Sequence, residues 1–142
     1  MSLLPKNFAL SETQWARRGK MLEIQEKLTP DGYEELIKRA ADPSLHITEA
    51  LDKNDVIGYI AYSYKPDVTV IYDYDDGGDL MLCDGLIRSV LFKTCLKGIE
   101  KVELKCSDEK CVPLERLRFV PEGVRVIENP DSFMNGCKNC SH

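Results

Sequence analysis

Three strand-like segments joined by short polar turns constrain this chain more than any other feature. The segments run from Leu45 to Leu51, from Val56 to Tyr62 and from Val68 to Tyr74. The turns between them, residues 52–55 and 65–67, contain Asp, Lys, Asn and Pro. Connections this short join antiparallel neighbours, because a parallel crossover needs a dozen or more residues. The sequence therefore predicts an antiparallel three-strand meander.

A long amphipathic helix and another strand follow the meander. Asp79 is placed to cap a helix that ends near Lys97, and Gly98 supplies the C-terminal stop. One face of this helix is formed by Ile87, Val90, Leu91, Thr94 and Cys95. Residues 99–105 are predicted as a strand, and a strand–helix–strand crossover favours parallel pairing with the last meander strand.

Shorter elements complete the chain. We predict a strand over residues 21–28 and then a helix with Thr29 as N-cap and Pro30 at its first position. The buried face of that helix is predicted to carry Tyr33, Leu36, Ile37, Ala40 and Ala41. A short helix opening at Pro113 and ending near Arg118, and a last strand over residues 124–127, close a mixed, mostly antiparallel α/β (α+β) domain.

Length and charge limit the classes of protein that this chain resembles. Its 142 residues fit one domain, which we place at residues 21–128, between an N-terminal extension with a short helix (1–20) and a cysteine-containing tail (129–142). A net charge of −5 disfavours binding to nucleic acid or anionic membranes. No apolar run approaches the roughly 20 residues that span a bilayer, and the first ten residues do not resemble a signal peptide. We expect a cytoplasmic protein.

The order of elements resembles the GNAT (acyl-CoA N-acyltransferase) fold. The resemblance covers about residues 21 to 127 and rests on the order and spacing of four segments: Val56–Tyr62, Asp84–Leu91, Lys97–Leu104 and Leu114–Val120. It implies a parallel β-α-β crossover, acetyl-CoA as a cofactor, and a small-molecule amine as the acyl acceptor.

The resemblance also implies where acyl-CoA would lie. In the family, a glycine-rich loop that opens the long helix binds the pyrophosphate; alignment places the two loop glycines at Met81 and Cys83. The implied contacts are therefore the backbone near Cys83, Asp84 and Gly85. Backbone N–H groups near Ile71, Tyr72 and Asp73 would polarise the thioester carbonyl.

This chain departs from the family pattern around that helix. Five aspartates, at positions 73, 75, 76, 79 and 84, surround its start, and carboxylates repel a phosphate. Leu114 stands where the family has a proton-donating tyrosine, and Arg118 stands in place of a glycine. Cys111 and Tyr74 are the possible substitutes for the missing general acid.

The resemblance implies a general base on one of the strands that line the cleft, so acidic strand residues are the candidates. Asp73 and Glu103 both fit this description, and His46 is a third possibility whose alternative is an ordinary strand position. The tyrosines of the meander are expected to pack a sheet face, with a binding cleft as the alternative.

Six cysteines divide into two groups. Cys83 and Cys95 lie in the helical pattern and are expected to be core residues. Cys137 and Cys140 have a spacing that allows both sulfurs to bind one zinc or iron ion, with Cys106 and Cys111 as a second pair and His142 as a substitute ligand. A redox-active dithiol and an inert chain end are the alternatives for the tail.

Two functions remain open at this level. The first is an acyl-CoA-dependent N-acetyltransferase that acts on an amine. The second is a non-catalytic GNAT-like module that binds a small molecule, a partner protein or, through its cysteine tail, a metal.

Overall fold

A computed structural model describes residues 22–134 as a mixed sheet with helices on both faces. In chain order the elements are β1 (Leu22–Glu26), α1 (Glu34–Ala40), β2 (His46–Asp52), β3 (Asp55–Tyr64), β4 (Thr69–Asp75), α2 (Leu80–Leu96), β5 (Lys101–Leu104), α3 (Asp108–Arg116), β6 (Val126–Glu128) and a 3-10 helix (Pro130–Phe133). The six strands pair in chain order. β4 and β5 are parallel and the other pairs antiparallel, as the sequence predicts. The extension over residues 1–20 lies outside the described residues.

The meander forms because its turns match the twist of its strands. β2 and β3 are joined by Lys53 and Asn54, which both adopt positive φ (54° and 78°), as two-residue hairpin turns require. Asn tolerates this conformation better than most residues, because its short polar side chain can hydrogen-bond locally. The turn sets the register, with Asp52 opposite Asp55.

The larger hydrophobic cluster lies between the sheet and helices α2 and α3. Ile87, Val90, Leu91 and Thr94 of α2 are fully buried, which confirms the predicted apolar face, whereas Cys95 at its margin is half-buried. A smaller cluster covers the opposite face of the sheet under α1 and consists of Leu36, Leu45, Ile47 and Ala61. The two faces are called the α2 face and the α1 face below.

Two helix starts differ from the sequence prediction. α1 begins at Glu34 rather than near Pro30, because Gly32 adopts a φ of +95° that no helix contains. α3 begins at Asp108 rather than at Pro113, since Asp108 and Glu109 supply a favourable acidic first turn and Pro113 is accommodated inside the helix.

The predicted tail begins with ordered structure. The 3-10 helix Pro130–Phe133 packs on α2, with the Phe133 ring 5.2 Å from that of Phe119. No helix among residues 22–134 has the length and apolar content needed to cross a bilayer.

Candidate functional site

The end of β4 is the centre of the candidate site, because the sheet opens there. Ala61 lies opposite Asp73 and Tyr62 lies opposite Ile71, so Tyr72 is an extra residue that bulges out of the β3–β4 ladder. The parallel ladder with β5 ends at Ile71, followed by a hydrogen bond from the Lys105 N–H to the Ile71 carbonyl (2.8 Å). β4 then continues to Asp75 while β5 stops at Leu104, so the two strands are not paired beyond this point.

Tyr74 and Lys110 connect the end of β4 to α3 on the α2 face. The Tyr74 hydroxyl donates to the backbone carbonyl of Lys110 (2.6 Å), and the Lys110 ammonium donates back to the Tyr74 carbonyl. The same ammonium lies 5.2 Å from the centre of the Tyr74 ring. We call these contacts the Tyr74–Lys110 clamp. Burial and the neighbouring Cys83 thiol raise the pKa of Tyr74, so its phenol retains its proton.

The β4–α2 loop, residues 75–79, uses its aspartates to satisfy its own backbone. The Gly77 N–H donates to Asp75 Oδ1 and the Gly78 N–H to Asp76 Oδ1, both at 2.9 Å. Asp79 Oδ1 accepts from Met81 N–H (2.9 Å) and Leu82 N–H (3.4 Å) at the first turn of α2. Four backbone N–H groups at the start of α2, where a helix can bind an anion, therefore already donate to carboxylates.

Asp73, next to the bulge, has two cationic neighbours. Its carboxylate lies 3.6 Å from the Arg39 guanidinium of α1 and 3.3 Å from the Lys110 ammonium, and it also accepts from the Tyr74 N–H. The Asp73 side chain is 16% exposed, whereas that of Arg39 is 65% exposed. Burial raises the pKa of Tyr59, and the negative charges of Asp73 and Asp75 raise it further.

The side chain of the bulged residue Tyr72 is held by the buried carboxylate of Asp42. Tyr72 donates its hydroxyl proton to Asp42 Oδ2 (2.8 Å), which also receives the Lys65 ammonium (2.7 Å), while Ser44 donates to Oδ1 (2.7 Å). Burial alone raises the pKa of Asp42, but these hydrogen bonds outweigh it and hold that pKa well below its ordinary value. Asp42 is therefore ionised and fixes the position of Tyr72.

The other candidate bases lie at different places on the sheet. Glu103 pairs with Val70 on β5, and its charge is a minor contributor to the raised pKa of Tyr72, about 12, behind burial and Asp42. His46 bonds to Glu26 (2.7 Å) and stacks on Tyr62. His46 is thus on the α2 face, whereas Asp73 contacts α1, so the structure does not bring these two candidates together.

The residues aligned with the CoA loop lie inside helix α2. Cys83 and Gly85 are buried in it, and Asp84 pairs with Arg88 one turn on (3.0 Å). The Cys83 N–H donates to the Asp79 carbonyl (3.0 Å), as in any helix, and so is not directed at a ligand. Met81 occupies the first turn of the same helix.

Both residues that could replace the missing general acid contact other groups of the protein. Tyr74 donates within the clamp, and Cys111 contacts Cys106, with the two sulfur atoms 3.7 Å apart. Leu114 is fully buried as a core residue. Arg118 adopts a φ of +67°, so the backbone turns there as a glycine would allow, although the side chain is large.

Only one of the two predicted cysteine pairs lies within the described residues. Cys106 and Cys111 are close together, but residues 22–134 contain no cluster of three or more His, Cys, Asp or Glu side chains arranged for a metal. Cys137, Cys140 and His142 lie outside the described residues.

Comparison with known proteins rests on structure. No protein-family model and no curated protein sequence matches the chain. Its structure superposes on a proposed acetyltransferase of the GNAT family from Desulfovibrio desulfuricans with a TM-score of 0.52 and 15% identity, over 68% of this chain and 81% of that one. This chain has the GNAT fold.

Two further solved structures are aminoglycoside acetyltransferases. The chain is similar to the aminoglycoside 6'-N-acetyltransferase from Enterococcus faecium (TM-score 0.43, 12% identity, 53% of this chain and 46% of that one). It is also similar to aminoglycoside 6'-acetyltransferase type Ii (TM-score 0.43, 13% identity, 68% of this chain and 59% of that one). The chain thus spans about half of their length.

The residues at the GNAT cleft do not fit the pyrophosphate of acyl-CoA. In the β4–α2 loop and the first turn of α2, four backbone N–H groups donate to aspartate carboxylates, and the Cys83 N–H of the aligned segment donates to the Asp79 carbonyl. A phosphate would have to displace these carboxylates while remaining close to their charges.

Lys110 belongs to the candidate site but was not predicted from the sequence. The helix prediction began at Pro113 and left residue 110 in a loop. Had Ser107 been taken as the cap position, the acidic first turn after it would have placed Lys110 on α3.

Proposed function

We propose that this chain is a non-catalytic GNAT-fold module that binds an amine-bearing small molecule beside the β4 bulge. The observation that carries the proposal is the β4–α2 loop, in which three aspartate side chains accept four backbone N–H groups. A loop built this way provides for itself the negative charge that an acyl-CoA phosphate would bring. The fold is kept while the binding preference changes from an anion to a cation.

The cation-binding position is the Asp73 carboxylate. Its partner Arg39 is an exposed side chain at 3.6 Å, and such surface ion pairs contribute only about 0 to 1 kcal/mol. A ligand ammonium can replace this guanidinium at little cost. Tyr59 and Tyr72 on the same face provide aromatic surface beside the ammonium.

Thermal unfolding in the presence of acetyl-CoA tests the proposal that the chain does not bind acyl-CoA. A ligand that binds only the folded state raises stability by about 2.7 kcal/mol at a hundredfold excess over its Kd. We expect no saturable shift with the parent chain. In the Asp75→Asn/Asp76→Asn variant, we expect weak binding that declines as salt is added, because screening acts on exposed charges.

Calorimetric titration with spermidine as the probe tests the proposal that Asp73 binds an amine. We expect binding that Asp73→Asn abolishes and that Asp67→Asn preserves, since Asp67 is an exposed turn residue with the same charge. Equal loss in both variants would show a response to net charge only, and low-micromolar acetyl-CoA binding by the parent would contradict the module hypothesis.

An acyl-CoA-dependent N-acetyltransferase is the second candidate, and the bulge favours it. Asp73 lies directly after the extra residue Tyr72, at the point where β4 and β5 separate. A carboxylate there can accept the proton of an ammonium acceptor and so produce the neutral amine.

Mass spectrometry of an amine panel incubated with acetyl-CoA distinguishes the two candidates. The second predicts an acetylated amine whose rate of formation falls about 10²-fold or more in Asp73→Asn. The module hypothesis predicts no acetylated product with either chain.

A further inference from the structure

Asp73 lies between two cations that reach it from opposite faces of the sheet. Arg39 of α1 has its guanidinium 3.6 Å from Oδ2, and Lys110 of α3 has its ammonium 3.3 Å from Oδ1. Oδ1 also accepts a hydrogen bond from the Tyr74 N–H at 2.9 Å. The two oxygens thus differ: Oδ1 accepts from two donors, whereas the guanidinium beside Oδ2 lies beyond the ordinary hydrogen-bond distance.

The protein holds these two cations to different degrees. The Lys110 ammonium also donates to the Tyr74 carbonyl and lies 5.2 Å from the centre of the Tyr74 ring, while the Lys110 backbone carbonyl accepts the Tyr74 hydroxyl at 2.6 Å. The side chain of Lys110 is 37% exposed, against 65% for Arg39. A cation that is already fixed loses little further freedom on binding a carboxylate, whereas a long exposed side chain loses rotamer freedom.

We propose that Lys110 is a positioning residue, which holds Oδ1 of Asp73 and so keeps Oδ2 open for the ammonium of a ligand. This inference rests on the function proposed above, because it concerns the same carboxylate. Without Lys110, the Asp73 side chain can turn toward Arg39 and form a closer, two-bond pair with its guanidinium. A ligand ammonium would then have to break that pair before it could bind.

The two cations also determine the direction from which a ligand reaches Asp73. On the α3 side, the fixed ammonium of Lys110 repels a second cation. On the Oδ2 side, the ligand only has to replace the exposed guanidinium of Arg39. The ligand therefore approaches from the α1 face.

A positioning role and a purely electrostatic role of Lys110 predict effects of opposite sign. If Lys110 acted through its charge alone, its removal would strengthen amine binding, because a positive charge 3.3 Å from the carboxylate would be lost. The positioning role predicts that binding weakens even though a repelling charge has been removed.

Calorimetric titration of the full chain with spermidine measures this sign. We expect Lys110→Met to bind about tenfold more weakly than the parent, the effect of one charge-assisted hydrogen bond, and Lys110→Arg to retain most of the affinity. Lys105→Met is the matched control, since it removes the same charge from an exposed residue just after β5, and it should bind at least as well as the parent. Adding Arg39→Ala to Lys110→Met should restore binding, because Asp73 then has no guanidinium to turn toward.

A second measurement needs no ligand and so separates this inference from the proposed function. The three-bond Hα–Hβ couplings of Asp73, measured by NMR, report its χ1 rotamer. We expect one rotamer in the parent and in Lys110→Arg, and a different or averaged rotamer in Lys110→Met.

Three results overturn the inference: equal or tighter spermidine binding by Lys110→Met, the same Asp73 couplings in Lys110→Met as in the parent, or averaged couplings in the parent itself. The last result does not depend on the folding of a variant. If the couplings change as expected but the parent binds no spermidine, the amine proposal fails, while Lys110 still sets the orientation of Asp73.

Discussion

The aspartate at the β4 bulge and the three aspartates of the β4–α2 loop have different partners. At the bulge, Asp73 faces side-chain cations, one of which, Arg39, is largely exposed. In the β4–α2 loop, Asp75, Asp76 and Asp79 face backbone N–H groups at fixed positions. An ion pair with an exposed cation contributes little to stability, whereas carboxylates that accept backbone N–H groups use donors that an anion would otherwise need.

Under the proposed function, this difference explains how the GNAT fold can be kept while binding of acyl-CoA is lost. The sheet, the bulge and the crossover depend on apolar packing and register, which the loop aspartates do not disturb. Affinity for a polyanion depends on free donors and local charge, which the loop aspartates change directly.

Gly58→Ala should have the largest effect, because it disrupts the support of the loop. A Cβ at this position would lie 2.6 Å from the Asp75 carbonyl oxygen and 3.0 Å from Leu82 Cδ2. Since the first contact is with backbone, we expect a loss of about 1 to 3 kcal/mol in the free energy of unfolding, measured by urea denaturation. Val56→Ala, at a half-exposed site on the same strand, should cost about 0.5 kcal/mol or less. Equal values would mean that β3 does not support the loop.

Asp42→Asn should lower the free energy of unfolding by about 2 kcal/mol at pH 7, because it removes the charge-assisted hydrogen bonds of Asp42 with Lys65 and Tyr72. The folded-state pKa of Asp42 is lowered, so its contribution is complete above the unfolded pKa of about 3.9 and is lost as the pH falls toward the folded value. Parent and variant should therefore converge in urea titrations repeated below pH 4. A difference that stays constant with pH would assign the effect to packing.

Asp79→Ala should lower the free energy of unfolding by about 1 kcal/mol, because Asp79 accepts hydrogen bonds from the Met81 and Leu82 N–H groups at the start of α2. Asp79→Asn retains an acceptor and should be nearly neutral, which separates capping from charge. Thermal unfolding of the two variants measures both effects. If Asn costs as much as Ala, the charge of Asp79 and not its cap stabilises the helix start.

Arg39→Ala should have the smallest effect on stability, within about 0.5 kcal/mol, because Arg39 forms an exposed ion pair. Removing this competing cation should instead strengthen spermidine binding at Asp73 in a calorimetric titration. Unchanged or weaker binding would place the amine away from Asp73.

Local patterns in the sequence were sufficient for most of the fold. The meander, the crossover and the span of α2 follow from periodicity, from the Asp79 cap and from the turn residues Lys53 and Asn54, all of which act over a few residues. The starts of α1 and α3 were misplaced, because each was assigned from a proline near the helix start while Gly32 and the acidic first turn of α3 decided them.

The candidate site depended on contacts between distant residues. The sequence by itself determined that acidic residues surround the start of α2, but not that their carboxylates accept the loop amides. Only the tertiary structure joined Tyr74 to Lys110 and Tyr72 to Asp42. The reason is physical: hydrogen-bond partners within a turn follow from spacing, whereas partners 30 or more residues apart are chosen by strand register and helix packing.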